Sequence, residues 1–213
     1  MKMSLPNQEV EVNPDDLSAV QKLVSFLIPE SVKQLAGMLA DTVKGWRARN
    51  MVNVILKTKD HIEASGLTQT ELSGKFIVKA IEAASDEDND SLQNRWALLL
   101  SNAATGKITQ DIKFITILSE LNDLEVRFLD SIYSELLNFS GLDECIFSTE
   151  KASQNFNIKL EDAKIMVDNF YRLNICRPPS TSGMKVSGFN TGLQTNLAFC
   201  FTDLGISFLK AVR

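Results

Sequence analysis

Glu161-Asp162-Ala163-Lys164-Ile165-Met166-Val167-Asp168-Asn169-Phe170-Tyr171-Arg172-Leu173 is the stretch whose reading decides the fold. With Leu160 just before it, Ala163, Val167, Phe170, Tyr171 and Leu173 recur at helical spacing, which predicts a helix packed on that side. Lys164, Asp168, Asn169 and Arg172 are then the outward set. Downstream, Arg177-Pro178-Pro179-Ser180-Thr181-Ser182-Gly183 cannot continue a helix. Two β-like stretches follow, Met184 to Phe189 and Leu193 to Phe201, separated by Asn190-Thr191-Gly192, where Gly183, Gly188 and Gly192 serve the turns. Thr202-Asp203-Leu204-Gly205 opens a closing helix through Val212.

Upstream, Ser148 or Thr149 caps a short helix to about Phe156, and Asn157-Ile158-Lys159-Leu160 turns into the long one. Asn122 with Glu125 forms a capping box for a helix through about Phe139, packed by Leu124, Phe128, Leu129, Ile132 and Leu136. Short helix, turn, longer helix and a two-stranded wing make a winged helix-turn-helix, a compact way to present one helix to a partner. That partner is DNA in many proteins, but the same module also binds proteins and dimerises.

The rest of the chain reads as helices. Residues 1–13 are polar and flexible. Pro14-Asp15-Asp16 starts a helix with Leu17, Val20, Val24 and Leu27 on one face, closed by Pro29. A long helix from about residue 30 to Ala64 carries Val32, Leu35, Ala36, Leu39, Val43, Trp46, Asn50, Met51, Ile55 and Ile62, and Ser65-Gly66 stops it. Further helices run from Thr70 or Ser73 to Ala84, from Ser91 to Ala104, and from Thr109 to Ser119 with Ile112, Ile115 and Leu118 inward. The expected fold is therefore mainly α. A helical domain over 14–121 is followed by a winged-helix-like domain over 122–213.

Composition sets limits on function. In 213 residues, 44% are hydrophobic and 23% charged, as in ordinary globular proteins. No run reaches the ~18 apolar residues of a membrane span, so stable membrane insertion is not expected. The start, Met1 to Glu9, lacks a signal-peptide apolar core, which predicts a cytoplasmic protein. Cys145, Cys176 and Cys200 are an odd number at wide spacing and read as buried free thiols. The net charge of −5 divides unevenly: residues 1–150 carry 14 cations against 23 acids, and residues 151–213 carry 8 against 4.

Two basic sets are candidates for contact with nucleic acid or another partner. Lys159, Lys164, Arg172, Arg177 and Lys185 surround the presented helix and wing. Glu161, Asp162 and Asp168 lie on or beside the same helix and would repel a phosphate backbone. Lys44, Arg47, Arg49, Lys57 and Lys59 form a second patch, with no acid between Thr42 and Lys59. They spread around more than one helix face, as a solvated surface paired with acids elsewhere would. Asp86, Asp88 and Asp90 have the spacing of a calcium loop, but Ser91 and Ala97 stand where its glycine and glutamate belong. Helix capping, with Asp90 as the cap, is the better account. His61 has no neighbouring nucleophile, and there is no phosphate-binding glycine loop or serine elbow. No catalytic, cofactor or metal site is expected.

Lys75-Phe76-Ile77 through Ile81-Glu82-Ala83-Ala84-Ser85-Asp86-Glu87-Asp88, then Leu92-Gln93-Asn94-Arg95-Trp96-Ala97-Leu98-Leu99-Leu100-Ser101-Asn102-Ala103, resemble the Abi-alpha family. This bacterial group is defined by a domain of unknown function associated with abortive-infection phage defence. Asp168 to Ile175 is similar to its helix-to-wing segment and Phe201 to Phe208 to its closing helix, so the likeness spans about residues 25–213. Asn174 stands where glycine is more usual, and Asn tolerates the left-handed turn. The resemblance implies a cytosolic role in antiviral defence, and it carries over no catalytic residue.

Four functions stay open on sequence: a non-enzymatic protein that binds DNA, RNA or another macromolecule in defence or its regulation; a protein-interaction or homodimerisation scaffold using the winged domain; a toxic effector acting on a membrane or on metabolism through helix 30–64; and, last, an enzyme, which no motif in the chain favours.

Overall fold

A computed structural model of the chain describes residues 46–136, 146–179 and 197–213. Eight helices and three short strands are present among them. They divide into two compact units, one ending at Ile112 and the other beginning at Lys113. The expected segment 1–13, the helix from Pro14 to Pro29 and the long helix before Trp46 lie outside the described residues.

The first unit consists of α1 (Trp46–Ser65), α2 (Gly74–Ser85) and α3 (Asp90–Ala104). α1 ends where Gly66 takes a φ of +62°, a left-handed conformation that glycine adopts freely. Val54, Ile55 and Ile62 of α1 are buried, as are Phe76, Ile77, Ala80 and Ile81 of α2 and Leu92, Trp96, Leu99 and Leu100 of α3. Each set follows the helical period, so burial of one face holds the three helices together. Ser73 caps α2 through its side chain on the Phe76 amide. The cap of α3 is Asn89 rather than the expected Asp90: its Oδ1 accepts from the Leu92 amide at 3.1 Å. Asp90 is instead the first helical residue, where its charge favours the positive end of the helix.

The second unit contains α4 (Ile112–Ser119), α5 (Asp123–Leu136), β1 (Phe147–Ser148), α6 (Thr149–Phe156), α7 (Leu160–Arg172), β2 (Cys176–Arg177), β3 (Ala198–Phe201) and α8 (Asp203–Ala211). The capping box of α5 is formed, with the Glu125 amide donating to Asn122 Oδ1 and the Asn122 amide to Glu125 Oε2, both at 2.9 Å. Ser148 caps α6, Thr202 caps α8, and Asn157 ends α6 at a φ of +51°.

The sheet is where the structure departs from expectation. Among the described residues it has three antiparallel strands in the order β1-β3-β2, with β1 and β2 where no strand was expected. Phe147 faces Phe199 across one pair, and Cys176 faces Phe201 across the other. Met184 to Phe189 lies outside the described residues, and of Leu193 to Phe201 only the end, Ala198–Phe201, is a described strand. β1 and β2 have two residues each, too short for alternation to announce them.

Phe128 of α5 joins this sheet to the helices, with its ring centroid 5.2 Å from Phe156, 5.8 Å from Phe170 and 6.4 Å from Phe199. The start of α8 fits against the turn after α7. A Cβ on Gly205 would lie 2.1 Å from the Ile175 carbonyl oxygen, so only glycine allows this approach. Cys176 and Cys200 are buried free thiols, and Cys145 lies outside the described residues.

Candidate partner-binding face

α7 is amphipathic, and its inner side is firmly held. Ala163, Met166, Val167 and Phe170 are buried along one face, with Leu173 buried just beyond the helix. Leu160 and Tyr171, expected to be inward, are half-buried. Tyr171 gives its hydroxyl a partner at the surface of the core, donating to the Ala198 carbonyl of β3 at 2.8 Å. Burial, with lesser effects of Cys176, Asp168 and Cys200, lifts its phenol well above the ordinary value. Burial raises the Cys176 thiol in the same way.

The end of α7 is fastened by a polar network. Asn169, expected outward, is half-buried because its Nδ2 donates to Glu125 Oε1 at 2.8 Å. Glu125 is a buried carboxylate with only 6% of its surface exposed, and the Asn122 amide fills its second oxygen. Asn169 Oδ1 accepts from Arg172 Nε and Nη2 at 3.1 and 2.7 Å, and Arg172 also forms an ion pair with Glu120. Arg172 therefore lies on the surface as expected, with its guanidinium already committed to the second unit's own side chains.

The outer face is different in character. Glu161, Asp162, Ile165, Asp168 and Arg172 are exposed. Glu161, Ile165, Asp168 and Arg172 follow one another at intervals of four, three and four, which places them along one stripe. Ile165 is 67% exposed, the most of the large hydrophobic residues at the surface among the described residues. It was missed in the sequence because it breaks the inward pattern. Its spacing from Glu161 and Asp168 was the available signal.

Of the other basic residues, Lys164 lies beside this stripe, three positions after Glu161 and four before Asp168, and the rest lie away from it. Lys159 is exposed at the N-cap of α7 and makes no side-chain cap bond. Lys164 is half-exposed on a flank, Arg177 is exposed in β2, and Lys185 lies outside the described residues. The second basic set belongs to the first unit, where Lys44 falls outside the described residues and Arg49 is half-exposed. Arg47 donates to Ser85 Oγ at 3.2 and 3.0 Å and pairs with Asp86 at 2.8 Å. Lys57 pairs with Asp90, and Lys59 with Glu63 one turn along at 3.6 Å. His61 is half-buried, its Nε2 2.9 Å from Asn94 Oδ1.

Among the described residues no group of three or more His, Cys, Asp and Glu could hold a metal ion. No helix there is long and apolar enough to cross a membrane.

These features define a mainly helical protein of two units with a small antiparallel sheet in the second. The chain belongs to the abortive infection alpha family, whose model matches residues 48–212 and so runs from α1 through α8. No curated protein and no solved structure matches it.

Proposed function

We propose that this chain serves abortive-infection defence, or its regulation, as a non-enzymatic binding protein whose second unit is a winged helix-turn-helix presenting α7 to another protein. The order α5, β1, α6, α7, β2, β3, α8 supports the winged reading, as does the sheet order β1-β3-β2. In that architecture α6 and α7 are the helix-turn-helix, with the left-handed Asn157 as the turn between them.

The observation that carries the choice of a protein is the outer stripe of α7. Three exposed carboxylates, Glu161, Asp162 and Asp168, surround an exposed isoleucine, while Arg172 is bound to Glu120 and Asn169. A helix entering a major groove meets phosphates on both sides, and this one would bring negative charge to them. An apolar residue inside a polar rim is instead the anatomy of a protein interface.

The test is an infection assay in cells carrying the gene, together with fluorescence polarisation on labelled duplex DNA and RNA across a salt series. Ile165→Glu is expected to abolish protection while the protein stays folded, with no salt-sensitive binding to either duplex. Tight duplex binding that weakens when Lys159, Lys164 and Arg177 are changed to alanine would replace the protein reading with a nucleic-acid one. Full protection from Ile165→Glu would remove α7 as the working face.

A further inference from the structure

The first unit carries a surface of its own that does not involve α7. On α1, Trp46, Arg49, Asn53, Leu56, Asp60 and Glu63 follow one another at intervals of three and four, so they form one stripe along the helix. All six are exposed or half-exposed, and they lie opposite the buried Val54, Ile55 and Ile62. Trp46 is 51% exposed and Leu56 42%, which leaves two large apolar side chains of one helix face in water.

The charges on this stripe differ from the rest of α1. Arg47 is taken up by Asp86, Lys57 by Asp90 and Lys59 by Glu63. Arg49 and Asp60 make no ion pair or hydrogen bond among the described residues. They are three turns apart along the helix, too far to meet each other.

We infer that this stripe pairs with the same stripe of a second copy of the chain, the two α1 helices running antiparallel about a twofold axis. An antiparallel seam of three-four spacing sets Trp46 against Glu63, Arg49 against Asp60 and Asn53 against Leu56, each contact made twice. Leu56 then lies near the axis in both copies, and the Trp46 rings cover the two ends. The order of charge selects the direction. The cation lies toward the N-terminal end of the stripe and the acids toward the C-terminal end. Antiparallel copies bring Arg49 to Asp60 twice, whereas parallel copies bring Arg49 to Arg49 and Asp60 to Asp60 and repel. A face that complements itself in charge is what a twofold contact requires, and this singles out a second copy as the occupant.

The test is sedimentation velocity of the full chain over a concentration series reaching about 0.5 mM, because a contact of one helix pair is small and weak. A monomer–dimer equilibrium is expected. Arg49→Glu and Asp60→Lys are each expected to weaken the dimer about tenfold, since each reversal replaces two attractive contacts by two repulsive ones. The double variant Arg49→Glu with Asp60→Lys is expected to return to within about twofold of the parent, because the pair is restored with its signs exchanged. Leu56→Glu is expected to weaken the dimer about tenfold. At the lowest concentration it should leave the melting temperature within about 2 °C of the parent, since the side chain it replaces is in water.

A monomer at every concentration would overturn the proposal. A dimer indifferent to Leu56→Glu or to the single charge reversals would place the contact elsewhere and overturn it as well. Failure of the double reversal to restore what the single ones lose would refute the antiparallel pairing. A monomer that melts well below the parent when Leu56→Glu is introduced would mean that the chain covers this stripe itself, which also overturns it.

Discussion

α1 and α7 are both charged amphipathic helices, and they use their charge in opposite ways. On α1 the cations close the structure of its own unit: Arg47 and Lys57 reach the two ends of the acidic turn, at Asp86 and Asp90, and Lys59 pairs along the helix with Glu63. On α7 the internal bonds collect on the inner side and at the C-terminus, through Tyr171, Asn169 and Arg172, and the outer stripe remains exposed. The more basic helix is thus the one with more of its charge engaged in folding. Charge sign alone does not identify a binding face; what each charged side chain is bonded to has to be read with it.

The largest effects should come from removing the core of either unit. Trp96→Ala in α3 and Phe128→Ala in α5 are each expected to cost about 3–5 kcal/mol, since both side chains are fully buried. Followed by urea denaturation with hydrogen exchange, each variant should lose protection first in its own unit. Simultaneous loss throughout would mean that the two units unfold as one.

Gly205→Ala comes next, at about 2–4 kcal/mol, because the new Cβ would overlap the Ile175 carbonyl and push α8 from its seat. A melting temperature within error of the parent would refute that close approach. Asn169→Ala is smaller, about 1–3 kcal/mol, because it removes one hydrogen bond to the buried Glu125 carboxylate and two from Arg172. Its effect should shrink in a Glu125→Gln background if the two residues act as a pair.

Alkaline pH probes the inner side of α7 without mutation. Tyr171 and Cys176 both have values raised by burial, so the folded protein keeps protons that the unfolded chain releases. Their contribution to stability is complete below the ordinary thiol and phenol values and falls as pH rises through them, from about pH 8.5 upward for the thiol and about pH 10 for the phenol. Urea midpoints measured between neutral pH and pH 11 should decline over this range, and less steeply in Tyr171→Phe. An identical slope in that variant would remove the phenol from the account.

The smallest effect sharpens the comparison most. Arg47→Ala should cost about 1 kcal/mol, because its guanidinium bonds Ser85 and pairs with Asp86. Ile165→Ala should leave stability unchanged within about 0.5 kcal/mol, since the side chain is mostly in water. If Ile165→Ala proved the more damaging, α7's outer face would belong to the fold and not to a partner.

Helices and caps were readable in the sequence because they depend on nearby residues. The Asn122–Glu125 box, the Ser148 cap and the turn at Asn174, with a φ of +56°, all act over a few positions. The family was readable too, from the phrases around Trp96 and Phe201. The α3 cap was misread by one residue because Asn89 and Asp90 are both good caps and only backbone geometry separates them. The candidate site was readable only in part. Arg172 was expected at the surface and is there, but its engagement with Glu120 and Asn169 joins segments far apart in the chain.

By itself, then, the sequence determined where most of the described helices run, how several of them are capped, and which family the chain belongs to, since periodicity and local motifs are contained in short windows. Only the tertiary structure decided that two-residue strands at Phe147 and Cys176 flank β3, and that Asn169 turns inward to Glu125 while Ile165 remains in water. Those outcomes depend on which distant backbone and side-chain groups satisfy one another, and no local pattern records that choice.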